Sequence, residues 1–419
     1  MLDRRSALQA FFTSSFSLLT AQALGAPSRK VLKVAGIGTQ YFKNSHCDVI
    51  LTKIMEGWDH LGFEGPKLQL ASMYIEQQTD NDLSKAKSKA NGVPLYSSIE
   101  QALTLGTEEL RCDAVLSIAE HGDYEVDPIA HQRKYPRRRF FDAIADVFQK
   151  TGRVVPVFND KHLSWNWKDA KAMYDRARAM KIPMQSGSSL PFSWRYPNAT
   201  IPVGSKIKTI TGVAYGGLES YGFHALETIQ CLMERRKGGE TGVKSIQAYP
   251  YEQMWNAEKA GRWNRESVAI ALRAAGKSAD NLEGRLHQKD SSIYVIDYLD
   301  GTKAVCCMFN GITDEMSVAV EIEGTKKPLG QWFKLEMTYP YRHFEQLVRG
   351  IDRFFHTGKE HTPLERTLLT TGILARAISS HFAGGPKYAT PELAIQYRPG
   401  TRHFANQFEE NFPEPIQYQ

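Results

Sequence analysis

Short apolar runs alternate with helix-like stretches over the first half of the sequence, and this alternation constrains the fold more than any other feature. Each run is apolar throughout rather than at every second residue, which is typical of a strand buried on both faces. Strands of this kind separated by helices predict a parallel sheet with helices on both sides. The five predicted strands span residues 31–39, 68–74, 113–119, 154–159 and 182–186.

The pattern changes after Gly187. Strand-like segments then follow one another with only turns between them, as at Asp300-Gly301, which indicates an antiparallel or mixed sheet. We therefore predict an α/β chain in which a Rossmann-type doubly wound parallel sheet precedes an α+β domain with an open, mostly antiparallel sheet. The predicted boundaries are 30–187 for the first domain, 188–384 for the second, which binds substrate or forms an oligomer, and 385–419 for an extended tail.

Composition excludes several classes of protein. Of the 419 residues, 42% are apolar and 23% are charged, as in a soluble globular protein and unlike a disordered or collagen-like chain. The 52 basic residues exceed the 46 acidic ones only slightly, with no long basic stripe, so nucleic acid is not a predicted partner. The five cysteines form no CxxC pair and no ligand-like spacing with histidine, so neither a metal site nor a disulfide scaffold is predicted.

Residues 1–26 have the features of an export signal. Arg4 and Arg5 precede a modestly apolar run over 10–20, and Ala21-Gln22-Ala23 forms an A-x-A cleavage site. The paired arginines favour the twin-arginine type, so we expect an exported, periplasmic or extracytoplasmic protein. A frayed terminus with an accidental arginine pair is the alternative. The apolar run is too short and too rich in Ser and Thr to span a membrane, and no stable membrane insertion is predicted.

Two glycines lie at the end of the first predicted strand, in the sequence Gly36-Ile37-Gly38-Thr39. Ligands of parallel sheets bind beyond the carboxyl ends of the strands, and glycines at this spacing let the backbone approach a pyrophosphate. Gly36, Gly38 and Thr39 therefore mark a candidate nucleotide site. Glu76, after the second strand, is the acid nearest to the position of a ribose-binding carboxylate. The alternatives are glycines that serve only a tight turn and a solvated surface glutamate.

Polar side chains are dense after the third and fourth predicted strands. The sequence Glu120-His121-Gly122-Asp123-Tyr124 follows the third, and Asp160-Lys161-His162 follows the fourth. Because these strand ends meet at one edge of a parallel sheet, we predict a site there. A lysine at a buried strand end next to an acid can bind a substrate hydroxyl and assist proton transfer. Loop hydration is the alternative for the first cluster, and a structural histidine is the alternative for His162.

A glycine-rich entry leads into a predicted helix over 221–234, which carries His224 in its first turns. Glu227 lies three residues further on, so it shares a helix face with His224. Glu219 and Tyr221 lie just before this histidine. A histidine at the start of a helix that faces a cleft suits proton transfer from an alcohol. A packed helical histidine is the alternative.

The N-terminal motifs resemble those of the Gfo/Idh/MocA oxidoreductase family, and the resemblance runs from about residue 32 to about residue 380. Gly36-x-Gly38 is similar to the family's NAD(P)-binding loop, with Tyr41 in place of its third glycine. Asp113-Ala114-Val115 begins a strand similar to D-A-V-x-I-A-T-P, with Glu120-His121 at the T-P position. The resemblance implies NAD or NADP as cofactor, with these residues on the cofactor side: Gly36, Gly38, Thr39, Glu76 and Glu120.

The remaining motifs resemble the substrate-binding part of the same family. Asp160-Lys161-His162 stands where the family has E-K-P, Trp194 to Pro197 resembles R-F-x-P, and Gly217 to Glu227 resembles G-G-x-x-x-D-x-G-x-H-x-x-D. The resemblance implies that Lys161 contacts a substrate hydroxyl and that His224 is the acid/base. It also implies a set of substrate contacts: His121, Asp160, Arg195, Glu219 and Tyr221.

Three functions are compatible with these features. We expect an NAD(P)-dependent oxidoreductase that acts on a sugar or sugar-like polyol hydroxyl, with Lys161 and His224 as the acid/base pair. The altered glycine loop and the Glu120-His121 cluster leave open a redox-neutral glycosidase or lyase on the same scaffold, with NAD recycled or absent. A non-catalytic carbohydrate-binding protein is the third. The expected partner is a small-molecule sugar or glycoside, and analogy with the fold favours a homo-oligomer.

Overall fold

Two β-sheets organise the part of the chain that this computed structural model describes, residues 30–58 and 65–407. The predicted export signal over 1–26 lies outside the described residues. The strands of the first sheet are β1 Leu32–Gly38, β2 Leu68–Ile75, β3 Ala114–Ile118, β4 Val157–Asp160 and β5 Met184–Gly187. They are all parallel, in the order β2-β1-β3-β4-β5. The order reverses between β1 and β3, and the crevice at such a switch point is where open α/β sheets bind ligands.

Helices cover both faces of the first sheet. They are α1 Lys53–Glu56, which continues a π-helical turn over Asp48–Thr52, then α2 Ser84–Asn91, α3 Ile99–Thr104, α4 Arg137–Thr151 and α5 Trp167–Ala179. Side-chain caps fix two of their starts. The Ser98 hydroxyl accepts the N–H of Gln101 before α3, and the Asn166 amide oxygen accepts the N–H of Asp169 before α5.

The second sheet has eight strands and is mostly antiparallel. Its strands are β6 Trp194–Tyr196, β7 Ile207–Ala214, β8 Val243–Pro250, β9 Ser292–Tyr298, β10 Lys303–Met308, β11 Met316–Ile322, β12 Leu329–Lys334 and β13 Lys387–Ala389. Their order is β13-β8-β9-β10-β7-β11-β12-β6, and β7 and β10 form the parallel pair. The predicted fold class, a parallel sheet followed by a mostly antiparallel one, is confirmed.

Helices pack on both faces of the second sheet as well. They are α6 Ser220–Met233, α7 Tyr251–Lys259, α8 Arg265–Ala274, α9 Leu282–Arg285 and α11 Leu364–Phe382, whereas α10 Arg342–Thr357 packs on the first sheet. One face packs against α6 and α11. The other buries Met254 of α7 and Leu272 of α8, so this sheet is less open than its sequence indicates. No helix within the described ranges is long and apolar enough to cross a lipid bilayer.

The two last helices reach back to the first sheet. On one face, α10 packs Phe344, Leu347 and Ile351 into the same core as Leu116 of β3. On the other face, α11 contributes Leu364 to the core that α4 and α5 share. The elements that cover the first sheet therefore come from both ends of the described chain.

A buried carboxylate connects α6, α11 and the end of β5. Glu227 Oε2 accepts a hydrogen bond from Arg366 at 2.7 Å, and Oε1 accepts one from the Thr370 hydroxyl at 3.0 Å. The N–H of Ser188, just after β5, also points to Oε2 at 3.3 Å. A charge that is removed from water needs partners of this kind, so Glu227 and Arg366 depend on each other.

Replacement of Arg366 by Met is expected to lower the free energy of unfolding by about 3–5 kcal/mol, because it leaves Glu227 buried without its cation. The double variant R366M/E227Q should recover part of that loss, because no carboxylate is then stranded. Lys171→Met is the control, since Lys171 pairs with Asp175 on an exposed helix face and should cost less than about 1 kcal/mol. Denaturant titration measures all three, and similar losses for R366M and K171M would contradict the role of this pair.

Candidate active site

A cavity of about 330 Å³ lies over the carboxyl ends of β1, β3 and β4, at the switch point of the first sheet. Residues of α6 and the start of α10 close it from the other side. Its polar and aromatic wall consists of Asn44, His46, Glu120, His121, Tyr135, Lys161, Ser189, Tyr215, Ser220, Tyr221, His224, Tyr341, His343 and Phe344. A concave site with convergent polar groups is the usual form of a small-molecule site.

Glu120 follows β3 and is only 5% exposed. Lys161 Nζ lies 3.2 Å from its Oε1, and Arg137 donates a hydrogen bond to its Oε2 at 2.5 Å. Burial disfavours the ionised form, but the charges of Lys161 and Arg137 outweigh it and hold the pKa of the Glu120 carboxyl well below its usual value. Glu120 is therefore a carboxylate that fixes the position of the Lys161 amine.

The backbone at Lys161 adopts the left-handed conformation, with φ +68°. A non-glycine residue keeps this conformation only where its surroundings hold it. The N–H of Lys161 donates to the carbonyl of Gly187 at 3.1 Å, and its own carbonyl accepts the Ser186 hydroxyl at 2.7 Å. The end of β5 therefore holds the turn that carries Lys161.

Asp160, predicted as a substrate contact, pairs with a histidine that the sequence motifs did not single out. His46 Nδ1 lies 2.6 Å from Asp160 Oδ2, and the two residues are 114 positions apart in the chain. His46 stands on the cavity wall, where its ring centroid is 6.5 Å from that of His224. The available sequence signal was its position near the start of a helical stretch, which His224 shares.

His224 lies in the first turns of α6, and its Nδ1 is 2.5 Å from the Ser188 hydroxyl. Burial, followed by the nearby charges of Lys161 and His46, lowers the pKa of His224 well below its usual value. The imidazole is therefore neutral at neutral pH and can accept a proton. Tyr221 stands beside it on the cavity wall, with the two rings in an edge contact. The structure thus brings Lys161, His224 and Tyr221 to one cavity.

Two further histidines of the wall are also neutral. Burial lowers the pKa of His121 to about 4 and that of His343 to about 3. His121 packs its ring edge against Phe42, with ring centroids 5.1 Å apart. The cavity thus presents several neutral imidazoles next to the Glu120–Lys161 ion pair, a set suited to hydrogen bonding and proton transfer.

Glu219 lies at the start of α6 and faces a second cavity of about 410 Å³, which shares Glu120, Tyr135 and Ser220 with the first. It accepts the N–H of Arg133 at 3.0 Å, and burial raises the pKa of its carboxyl. His162 lines this second cavity and accepts a hydrogen bond from Arg137 at 3.1 Å, so it helps to hold that arginine.

Arg195, predicted as a substrate contact, lies apart from both cavities. It belongs to β6, and its guanidinium lies over the rings of Phe333 and Phe404, at 5.0 and 4.2 Å from their centroids. It also donates to the carbonyl of Pro191 at 3.0 Å. These contacts use Arg195 in the packing of the second sheet.

Close packing leaves little room for a side chain at the two glycines of β1. A Cβ atom on Gly38 would lie 2.5 Å from Cys47 Sγ, and one on Gly36 would lie 3.0 Å from a methyl of Leu51. Thr39 donates its N–H to the carbonyl of Ile118 at 3.2 Å and its hydroxyl to the carbonyl of Glu120 at 2.7 Å. These residues lie at the ligand edge of the sheet, and they hold the ends of β1 and β3 together.

Glu76 stands at the end of β2, as predicted for a ribose-binding carboxylate, and it is already bound by other side chains, among them Tyr74 at 3.3 Å. Arg139 lies 2.7 and 2.6 Å from its two oxygens, and the Tyr124 hydroxyl donates to Oε1 at 2.6 Å. Next to it, Gln77 accepts the N–H of Asp123 at 2.8 Å and donates to the carbonyl of the same residue at 3.1 Å. Residues 121–135, which we name the covering segment, are thus attached to the end of β2.

The cavity beside Lys161 and His224, at the switch point of the first sheet, is where the nicotinamide end of NAD(P) would lie, and the covering segment stands at the ends of β2 and β3, where the adenosine end would lie. The Asp48 carboxylate accepts the N–H of Asn44 at 2.9 Å at the start of the helix. This N–H is therefore already bonded at the place where a pyrophosphate would bind. Within the described ranges, no group of three or more His, Cys, Asp or Glu side chains is arranged to hold a metal ion.

Several solved structures share this fold at low sequence identity. GenD2 from gentamicin A biosynthesis, in complex with NAD, has a TM-score of 0.55 and 13% identity, over 87% of this chain and 98% of its own. An oxidoreductase from Agrobacterium radiobacter, in complex with NAD+, L-tartaric acid and magnesium, has a TM-score of 0.54 and 13% identity, over 86% and 98%. A putative myo-inositol dehydrogenase from Sinorhizobium meliloti 1021 has a TM-score of 0.51 and 13% identity, over 85% and 99%. No protein-family model and no curated protein matches the sequence. The chain shares its fold with these solved dehydrogenase and oxidoreductase structures.

Acidification is expected to destabilise the folded chain through its buried histidines. Their pKa values are lower in the folded than in the unfolded state, so their stabilising contribution is present above about pH 6.5 and declines as the pH falls towards the folded value, about 4 for His121. In that range, each such histidine adds up to about 1.4 kcal/mol per pH unit to the slope of the free energy of unfolding against pH. Urea titrations between about pH 7 and about pH 5 should therefore show a smaller slope for H121N than for the wild type. H287N, at an exposed position, is the control, and equal slopes for wild type and H121N would contradict the assignment.

Proposed function

We propose that this chain is an oxidoreductase that acts on a hydroxyl group of a sugar or sugar-like polyol, with NAD(P) as its cofactor. The observation that carries the proposal is the meeting of Lys161 and His224 on the wall of one cavity at the ligand edge of the first sheet. The neighbours support the reaction class, because an oxidoreductase in complex with NAD+ and a putative inositol dehydrogenase share the fold. The chemistry that NAD(P) supplies when bound is acceptance of a hydride from the carbinol carbon.

Lys161 is proposed to bind the reacting hydroxyl. Its amine is held by Glu120 at 3.2 Å and lies on the cavity wall, so it can donate a hydrogen bond to the substrate oxygen without reorganising. Its positive charge stabilises the negative charge that develops on that oxygen as the proton leaves. In this role Glu120 acts on the substrate through Lys161.

His224 is proposed to take the proton. The Ser188 hydroxyl already accepts the N–H of Leu190 at 3.1 Å, and it can also accept the Nδ1–H of His224. This arrangement leaves Nε2 of His224 without a proton and free to receive the one from the substrate. The buried, neutral imidazole is therefore in the protonation state that a general base requires.

The rest of the cavity suits a ligand rich in hydroxyl groups. His121, Tyr221 and His46, which the buried Asp160 holds from behind, offer hydrogen-bond donors and acceptors on its wall. The second cavity, which adjoins the first at Glu120 and Tyr135, gives room for a substituent on the sugar. A sugar, a polyol or a glycoside is the substrate class that this arrangement supports.

A redox-neutral glycosidase or lyase is the second candidate, and the covering segment favours it. With this segment attached to Glu76 and Gln77, the adenosine end of the crevice is closed, whereas the acid/base groups remain accessible from the cavity. Glu120 and Glu219 also have pKa values displaced in opposite directions, which is the pattern of a base and an acid. The test is to remove any bound dinucleotide from the enzyme and to measure whether it still cleaves glycosides. Cleavage without dinucleotide is the result that this candidate predicts.

Export through the twin-arginine pathway is also proposed, on the basis of Arg4, Arg5 and the A-x-A site at Ala21-Gln22-Ala23. N-terminal sequencing of the secreted protein tests it. Cleavage after Ala23 is the expected result, and an uncleaved cytoplasmic product would contradict it. The homo-oligomeric state stays a prediction, and the molecular mass of the protein in solution tests it.

Lys161→Met and His224→Asn should each lower kcat by about 10²–10⁴-fold, because each removes a group that handles the reacting proton. The measurement is NADH formation with the best wild-type substrate from a panel of hexoses, inositols and glycosides. Lys150→Met is the matched control, since Lys150 is exposed and pairs with Glu100 on the surface. Thermal melting confirms folding of each variant. Folded K161M and H224N with wild-type turnover would refute these roles.

A further inference from the structure

The covering segment joins the tip of β2 to the entrance of the active site. His121 begins the segment and packs against Phe42, which belongs to the loop after β1. Asp123 and Tyr124 then bond to Gln77 and Glu76 at the end of β2. The segment therefore spans the space between the ends of β1, β2 and β3, which is where the adenosine and pyrophosphate parts of a dinucleotide bind in a sheet of this order.

Polar and surface contacts hold this segment in place. Ile129 is 86% exposed and Val126 is 45% exposed, so its tip buries little apolar area. Arg133 bonds to Tyr124 and Glu219, and His131 stacks on Phe382 of α11, with ring centroids 3.9 Å apart. A loop with few buried apolar contacts opens at a lower free-energy cost than the core of the protein.

The docked turn also depends on a single glycine. Gly122 has φ +121°, and a Cβ atom at this position would overlap the ring of Tyr124 and lie 3.1 Å from Gln77 Oε1. An alanine at position 122 is therefore incompatible with the docked turn, although it changes no hydrogen-bonding group. This provides a way to weaken docking without touching the polar contacts.

We propose that the covering segment occupies the adenosine half of a nicotinamide-dinucleotide site, so that docking of the segment and binding of the dinucleotide exclude each other. The docked state keeps the crevice closed in the absence of cofactor, and residues 122–134 leave when the dinucleotide enters, while His121 and Tyr135 at the ends of the segment stay on the wall of the active-site cavity. The identity of the ligand rests on the proposed function. Departure of Tyr124 opens one hydrogen-bonding position on Glu76 Oε1 to a ribose hydroxyl, while Arg139 stays paired with the carboxylate.

The test compares NADH binding by calorimetry in the full-length wild type and in three variants that weaken docking: G122A, Q77A and Y124F. Competition predicts that these variants bind NADH more tightly, by about tenfold, because a larger fraction of the molecules is open. Thr79→Ala is the control, since Thr79 bonds to Asn81 on the same loop and does not contact the segment. Equal affinity in all proteins, or weaker binding in the three variants, would overturn the proposal.

Limited trypsin digestion gives an independent readout, because Arg133 and Lys134 lie in the segment. NADH should accelerate cleavage after Lys134 if binding displaces the segment, and slower cleavage would instead mean that the segment closes over the cofactor and would overturn the proposal. Absence of NADH and NADPH binding in every protein would overturn it too, together with the cofactor assignment. Tight binding that no variant alters would overturn this inference alone and leave the proposed oxidoreductase function standing.

Discussion

The ion pair that Glu120 forms with Lys161 and Arg137 is the interaction on which the candidate site depends. It joins the end of β3, the end of β4 and the first residue of α4 in a place where the carboxylate is almost entirely removed from water. A buried carboxylate needs such partners, and removal of either cation would leave an uncompensated charge. The pair therefore fixes both the shape of the strand ends and the position of the Lys161 amine opposite His224.

The second constraint is the way in which late elements of the chain complete the first sheet. Helices α10 and α11 supply part of the core on its two faces, and Glu227 connects α6 with α11 through Arg366 and with the end of β5 through the N–H of Ser188. His224 lies one turn before Glu227 on the same helix. The buried network that holds α6 in place thus also fixes the general base relative to the strand ends that carry Lys161.

The sequence predicts the regular elements well and the long-range contacts poorly. The third strand and the helix that carries His224 are predicted at 113–119 and 221–234 and observed at Ala114–Ile118 and Ser220–Met233, because continuous apolar runs and helical periodicity are local signals. The pairing of His46 with Asp160 and the attachment of the covering segment to Glu76 have no local signal, since each joins residues that are distant in the chain. Helices α7 and α8 are not predicted from the sequence, for a related reason. Their apolar residues are interspersed with charged ones, and only contact with the second sheet defines their buried face.

The stoichiometry of the reaction tests the central claim most directly. Wild-type enzyme is mixed with a converted sugar or polyol and an excess of dinucleotide, and mass spectrometry counts the reduced dinucleotide and the oxidised product together. The account predicts one reduced dinucleotide for each substrate molecule, and a product that is two hydrogens lighter. A cleaved or rearranged product with no reduced dinucleotide would contradict it and would assign this cavity to redox-neutral chemistry.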